Sequence, residues 1–432
     1  MNTCKKYFYF WSILINLLFA CKKEGDTQPP VITISVPVYN QAFNVGDELI
    51  VQGNVSDESS LKKVAITLLN EQEQPVHRTL SVDVSSNDQV INTSYLLDNI
   101  HLESGAYKLC IFASDGTNDV NTYIPVYIIA IPRVLEKIMI ATVSTTSQTA
   151  ISTIDSAGTV VSYTNFSGDH LELSVNSYFQ ELFHCGNATG NFTGIALRDK
   201  RVVVNVPVVP SSSVPYFTGF YEKNDRYYIS FYNELVKGYD HTGNITYNAT
   251  ALSGYVVKKM CLNDQHLIAE EQNKITKEQK LVCYYSTGVA EQNLSMEQEV
   301  TSFCERDDAH VMVFGNKAGQ GVIQEYDRIA NSLWEPYPYK LPGEIKYVLK
   351  LDKNTYLLAI SNGNIYKYVY TASSVTSFLT GYTAIQMVWD ELNKTLYVVE
   401  KNKISKLDMK GNPMQTINSA TDILKMGLLY NR

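Results

Sequence analysis

Ile154-Asp155-Ser156-Ala157-Gly158-Thr159 decides the fold, because it comes back. It returns as Tyr239-Asp240-His241-Thr242-Gly243-Asn244 and as Leu407-Asp408-Met409-Lys410-Gly411-Asn412. Tyr326-Asp327 is a weaker copy, and Arg198-Asp199 and Tyr285-Ser286 are degenerate ones. The marks at residues 155, 199, 240, 286, 327 and 408 step by 44, 41, 46, 41 and 81. The last interval holds two units, with the Tyr370-Thr371 region between them. A period of roughly 42 residues signals an array of one repeated supersecondary unit. An Asp side chain bonds its own turn backbone, so Asp155, Asp240, Asp327 and Asp408 read as turn formers rather than metal ligands.

Each unit holds four short apolar runs. In the last full unit they fall at 384–389, 395–400, 403–407 and 414–417, and in the one before at 345–351, 355–360, 364–369 and 375–379. Earlier units start near His170, Pro215, Val256 and Glu299. The chain ends in 422–429, which reads as a first strand, whereas the repeat region begins with 137–143, which reads as a second. Joining the two gives a seventh unit and closes a ring, leaving no open sheet edge. Period, strand count and closure resemble the broad β-propeller superfamily, so a seven-bladed propeller is expected over 132–432. No subfamily is matched: Trp389-Asp390 is a lone WD pair, kelch Gly-Gly marks are missing, and the Asp155–Thr159 turn lacks the spacing and aromatic of a sialidase Asp-box.

Residues 31–131 alternate apolar runs with turn signals: 31–36, 48–55, 62–69, 77–84, 89–97, 106–113 and 121–129. Seven strands in this length, with Val45-Gly46-Asp47 and Asn54-Val55-Ser56-Asp57, resemble the Ig-like or cadherin-like sandwiches of bacterial surface proteins. Tyr107, Leu109, Ile111 and Ala113 alternate onto a core face, and Tyr107 matches the corner tyrosine of that fold. Asp57, Glu58, Asp115 and Asp119 occupy two loops and are candidate calcium ligands, against the plainer role of turn formers. The fold class is therefore all-β.

The N-terminus reads as an address. Lys5 and Lys6 precede a 13-residue mostly apolar run, 7–19, which is short for a bilayer span and suits a signal peptide. Leu18-Phe19-Ala20-Cys21 resembles a bacterial lipobox, which implies a signal peptide over 1–20, lipidation of Cys21 and a tether over 21–30. Lys22-Lys23-Glu24-Gly25-Asp26 partly matches the surface-export signal of Bacteroidetes lipoproteins, implying a cell-surface protein of the outer membrane. Of seven cysteines, five follow Cys21, widely spaced and without a CxxC pair, so each reads as a small buried residue.

The composition excludes some partners. Among 432 residues there are 36 Lys and Arg against 44 Asp and Glu, a net charge of −8, with no basic block for nucleic acid. With 45% apolar residues the chain is globular. Tyrosine is in excess, 30 against 15 Phe and 3 Trp. The seven histidines form no HExxH or HxH pattern, and no GxSxG elbow is present. His184-Cys185 is adjacent on a strand and so points to opposite faces, a poor catalytic pair. Glu270, Glu271 and Glu400 would be the channel acids of an enzyme, but read as solvated loop acids. Aromatics cluster at the unit junctions: His170, Tyr216, Phe217, Tyr255, Tyr337, Tyr339 and Tyr382, with Trp334 in the Pro-stiffened Trp334–Tyr339 stretch. They are the candidate ligand-binding residues, since aromatic rings stack on sugars or planar groups. The expected function is a non-catalytic binding or scaffold lipoprotein that captures a glycan or small nutrient, or docks on an outer-membrane transporter. The alternatives are a lactonase-like hydrolase or polysaccharide lyase, and a structural adhesion protein.

Overall fold

The computed structural model describes residues 27–58, 60–145, 147–155, 157–209 and 214–432. The signal segment and Cys21 lie outside the described residues. The chain forms two compact units that divide after Pro132. No α-helix occurs among the described residues, and no helix there is long and apolar enough to cross a membrane.

The first unit is two sheets around one core. Val31–Val36, Glu48–Ser56 and Asp88–Leu96 make a three-stranded sheet. Gln41–Asn44, Asp119–Ile129, Gly105–Ser114, Lys63–Leu69 and Leu80–Val82 make a five-stranded one in that order. Period-2 alternation buries Leu49, Val51 and Val55 against Leu109, Ile111 and Ala113, as the spacing from Tyr107 to Ala113 requires. Among the described residues eight strands form rather than seven: Gln41–Asn44 pairs parallel with Asp119–Ile129, too short to show as an apolar run.

Among the described residues the second unit contains seven four-stranded antiparallel sheets. From the inside outward, the first is Ile423–Tyr430, Leu135–Thr145, Gln148–Ile154 and Val160–Ser167. The chain's last strand is thus the innermost strand of the sheet that opens the unit, pairing Met426 with Ile140 and Leu428 with Ile138. The other six sheets each use four consecutive strands and begin at Glu172, Phe217, Tyr255, Glu299, Ile345 and Gln386. Successive innermost strands pack on one another from Phe217–Lys223 round to Glu172–Asn176, Ser174 of the last bonds Glu222 of the first, and the arrangement is that of a β-propeller. Second strands are covered on both faces, so Glu181–Cys185 and Thr395–Val399 are wholly buried.

The recurrent Asp-Gly stretch is the hairpin between third and fourth strands. Asp240 accepts the amides of Thr242 and Asn244, each at 2.9 Å, and Asp408 those of Lys410 and Asn412, each at 2.8 Å. Each such turn also lies on the outermost strand of the preceding sheet. A Cβ on Gly411 (φ +85°) would come within 2.5 Å of Leu379 Cδ2, and one on Gly288 (φ +83°) would strike the carbonyl of Asn248. The turn of the first sheet lies on the last, where Gln415 Nε2 donates to the Ala157 carbonyl at 3.2 Å. The repeat is therefore a sheet-to-sheet clasp, which is why it recurs once per sheet.

Polar clasps join the sheets nearer the axis. Asn316 meets Ile345 through both amide atoms, at 2.7 and 3.0 Å, and Gln386 meets Met426 likewise at 2.7 and 2.9 Å. Glu270 accepts the Val300 amide at 2.8 Å. Tyrosine fills the gaps: Tyr227, Tyr284, Tyr326, Tyr356 and Tyr397 are almost fully buried, several with bonded hydroxyls, such as Tyr227 with Asn176 at 3.0 Å.

Candidate functional site: the central channel

Strand alternation brings all sheet-to-sheet junctions to one end of the ring, together with the turns between second and third strands. Acids there hold the loops. Asp169 accepts four amides, from Asn187 to Gly190, at 2.8–3.0 Å. Burial opposes its charge, but these bonds outweigh burial and hold its pKa at about 2. Glu271 accepts the Leu252 amide at 2.9 Å and the Tyr284 hydroxyl, and Glu400 accepts the amide and hydroxyl of Thr383 at 3.1 and 3.0 Å. Glu270, Glu271 and Glu400 are buried, not solvated loop acids. The expectation fails because a carboxylate that bonds the neighbouring sheet's backbone tolerates burial. Burial raises the pKa of Glu270 to about 7.

The junction aromatics mostly pack inward. Phe217 is fully buried and Tyr255 nearly so, its hydroxyl bonded to Glu278 Oε2 at 2.8 Å, so neither presents a face to a ligand. Their apolar bodies close the space between sheets, which sequence spacing does not reveal. Tyr216 stands edge-on to Phe217 and Phe231, and Tyr382 is half-buried against the core of the last two sheets. His170 is half-buried with its ring 5.3 Å from that of His184, which stacks on Phe166 at 4.8 Å. Burial lowers the two histidines to about 4 and about 3. Tyr337 is half-buried between Tyr339 and Tyr368. Only Trp334 and Tyr339 of this set are open, at 47% and 68% exposure. Trp334 faces Tyr370, which follows a third strand and so stands at the opposite end of the ring. These residues do not make one aromatic mouth.

In the first unit Asp115 spends its carboxylate on its own turn, accepting the amide and side chain of Asn118 at 2.7 and 3.0 Å, which lowers its pKa. Asp57 accepts the Ser60 amide at 3.0 Å, and Glu58 and Asp119 are exposed. Among the described residues no three His, Cys, Asp or Glu side chains come together to hold a metal ion. All five described cysteines are free and buried.

The feature that sequence reasoning missed is the channel on the ring axis, a cavity of about 680 Å³. The innermost strands of the first, second, third, sixth and seventh sheets all line it, which places it at the centre. Lys425 Nζ lies 2.8 Å and 2.9 Å from the two carboxylate oxygens of Glu172, with the Tyr347 ring 5.9 Å away. Ser174 donates to Glu222 Oε2 at 3.3 Å. Beyond them, on the third and fifth sheets, Lys223 is ion-paired with Glu305. Trp389 and Phe220 add apolar surface. The available signal was charge on innermost strands, at Glu172 and Lys425.

No protein-family model matches the chain, and no curated protein does. Solved structures do. A quinonprotein alcohol dehydrogenase-like protein from Bacteroides thetaiotaomicron has 12% identity and a TM-score of 0.48, covering 94% of this chain and 100% of its own. The Pan2 WD40 domain of Neurospora crassa has 12% identity and a TM-score of 0.45, covering 59% and 79%. The Cps50 (Swd1) β-propeller domain of Myceliophteria thermophila has 10% identity and a TM-score of 0.46, covering 59% and 88%.

Proposed function

We propose that this chain is a lipid-anchored capture protein of the outer membrane, built as an Ig-like spacer and a seven-bladed propeller that binds a glycan or small nutrient without transforming it. The observation that carries this reading is the chemistry of the channel. Its charged groups have partners on neighbouring innermost strands, Glu172 paired with Lys425 and Glu222 accepting the Ser174 hydroxyl, so the cavity offers hydrogen bonds and aromatic surface. A concave cavity of this size, lined by polar and charged groups interleaved with aromatic rings, suits retention of a small polar molecule. Seven four-stranded sheets with strands from both ends of the repeat region support the blade count. The Tyr107 hydroxyl, donating to the Glu103 carbonyl at 3.0 Å, supports the Ig-like reading, because a corner tyrosine bonds backbone a few residues upstream.

Three experiments test it. The full chain, screened on a glycan array and against vitamins and cofactors, is expected to bind at least one class saturably and leave it unchanged. Turnover of the bound compound refutes the capture reading. Labelled palmitate is expected to enter the wild-type protein in a bacterial host and not the Cys21→Ser variant. Docking on an outer-membrane transporter belongs to the same proposal, and co-purification of the anchored protein with one tests it.

A further inference from the structure

One strand of the first unit is apolar on both of its faces. Tyr123-Ile124-Pro125-Val126-Tyr127-Ile128-Ile129 is an unbroken apolar run. Ile124, Val126 and Ile128 enter the core of the sandwich. Tyr123, Tyr127 and Ile129 point the other way and are 37%, 45% and 42% exposed, with Pro125 among them. An antiparallel sheet that packs one face on a core ordinarily turns polar residues outward on the other. Here the neighbouring strands extend the apolar surface. Tyr127 stands opposite Ala106 on one side and Ala42 on the other, and Tyr123 stands opposite Cys110. Exposed Val38 and Tyr39 lie in the adjoining turn, which is tied on where the Asn40 amide donates to the Pro125 carbonyl at 2.7 Å. A contiguous apolar surface marks a contact with something else.

The position of the lipid site says what covers it. The Gln28 carbonyl accepts the Asn118 side chain at 3.3 Å, in the turn that opens the strand Asp119–Ile129. Cys21 lies seven residues before Gln28. Seven residues reach at most about 25 Å, whereas a strand of eleven residues is about 36 Å long. An acyl chain on Cys21 therefore holds this sheet within its own length of a bilayer. At that separation the membrane is present at high effective concentration, and a few rings suffice for docking. A second copy would have to associate from solution. The side chains fit the boundary between lipid and water as well. Tyrosine has an apolar body and a polar tip, the combination found at membrane interfaces. Two lysines lie along the same face, Lys108 Nζ 5.7 Å from the Tyr123 ring and Lys63 Nζ 5.5 Å from the Phe112 ring. Such stems run over apolar surface while the ammonium reaches towards headgroups.

We infer that this face of the first unit lies on the lipid surface, with Tyr123 and Tyr127 set among the headgroups. The inference rests on the reading of Cys21 as a lipid anchor.

The test uses the full chain, lipidated in a bacterial host and reconstituted in vesicles of phosphatidylethanolamine and phosphatidylcholine brominated near the headgroup. Tyr127→Trp puts a reporter on the face, and Val90→Trp puts one at an exposed position of the other sheet of the sandwich. Above the quenching of the wild-type tryptophans, the reporter at residue 127 is expected to be quenched about threefold more than the one at residue 90, since interfacial rings sit at the bromine depth. Both positions are exposed, so melting temperatures are expected to match the wild type and to exclude unfolding as the cause. Equal quenching of the two reporters overturns the docking. A dimer in detergent that Tyr123→Ser with Tyr127→Ser dissociates also overturns it, and assigns the face to a second copy. If palmitate enters at Cys21 and the reporters are quenched alike, the anchor stands and the docking alone falls. If palmitate does not enter, both fall.

Discussion

Glu270→Gln is expected to stabilise this protein at alkaline pH and to do nothing for it in acid. Glu270 is 1% exposed, and burial raises its pKa from 4.5 to about 7. The native state then holds a proton that the unfolded chain has released at any pH between those values. Stability attached to this group is complete below pH 4.5 and is lost as pH rises through about 7. The shift of about 2.5 pH units corresponds to about 3 kcal/mol of order-of-magnitude stability. Glutamine keeps the carbonyl oxygen that accepts the Val300 amide and carries no charge at any pH. Urea unfolding of wild type and variant, followed by tryptophan fluorescence across pH 4.5–8.5, measures the difference directly. The two midpoints are expected to coincide near pH 4.5 and to separate progressively up to pH 8. Other acids are common to both proteins and drop out of the comparison. Parallel curves with one constant offset would refute the argument, because they would mean that Glu270 is not protonated in the fold.

Other substitutions probe different links. His184 behaves oppositely: its pKa falls from 6.5 to about 3, so its contribution is complete above pH 6.5 and is lost in acid. His184→Phe, which keeps a ring against Phe166, is expected to flatten the acid limb of the same titration. Gly288→Ala is expected to cost more than about 2 kcal/mol in melting experiments, since positive φ and the Asn248 carbonyl both oppose a methyl group. Lys425→Met strands Glu172 in the channel, and a loss of about 1–3 kcal/mol is expected. Adding Glu172→Gln is expected to restore most of it, as a double-mutant cycle would show. Asp240→Ala removes four hydrogen bonds to one turn and is expected to cost about 1–2 kcal/mol.

Much of the ring was legible in the chain. The unit ends at Asp155, Asp240, Asp327 and Asp408 follow from local turn chemistry, and local rules survive without knowledge of the neighbours. The sixth unit's two middle strands appear at 355–360 and 364–369 as read. Closure by the last strand was legible too, because a lone first strand at one end and a missing one at the other have one economical solution. The candidate site was not legible in this way. Which tyrosine is open and which is buried depends on the sheet facing it, so Tyr255 and Tyr339 look alike in sequence and differ in the fold.

The sequence by itself determined the class of structure, the period, the place of the recurrent turns and the pairing of the two ends of the repeat region. Each rests on residues near in the chain or on a repeat that can be counted. Only the tertiary structure decided what lies on the axis. Glu172 and Lys425 are 253 residues apart and meet because the ring closes. It also decided that Glu270 and Glu271 are inside, since their partners lie outside their own sheet, Val300 on the innermost strand of the next one and Leu252 in the junction that leads into their own. Burial and pairing are properties of the surroundings, and in a closed ring the surroundings of each sheet are supplied by its two neighbours.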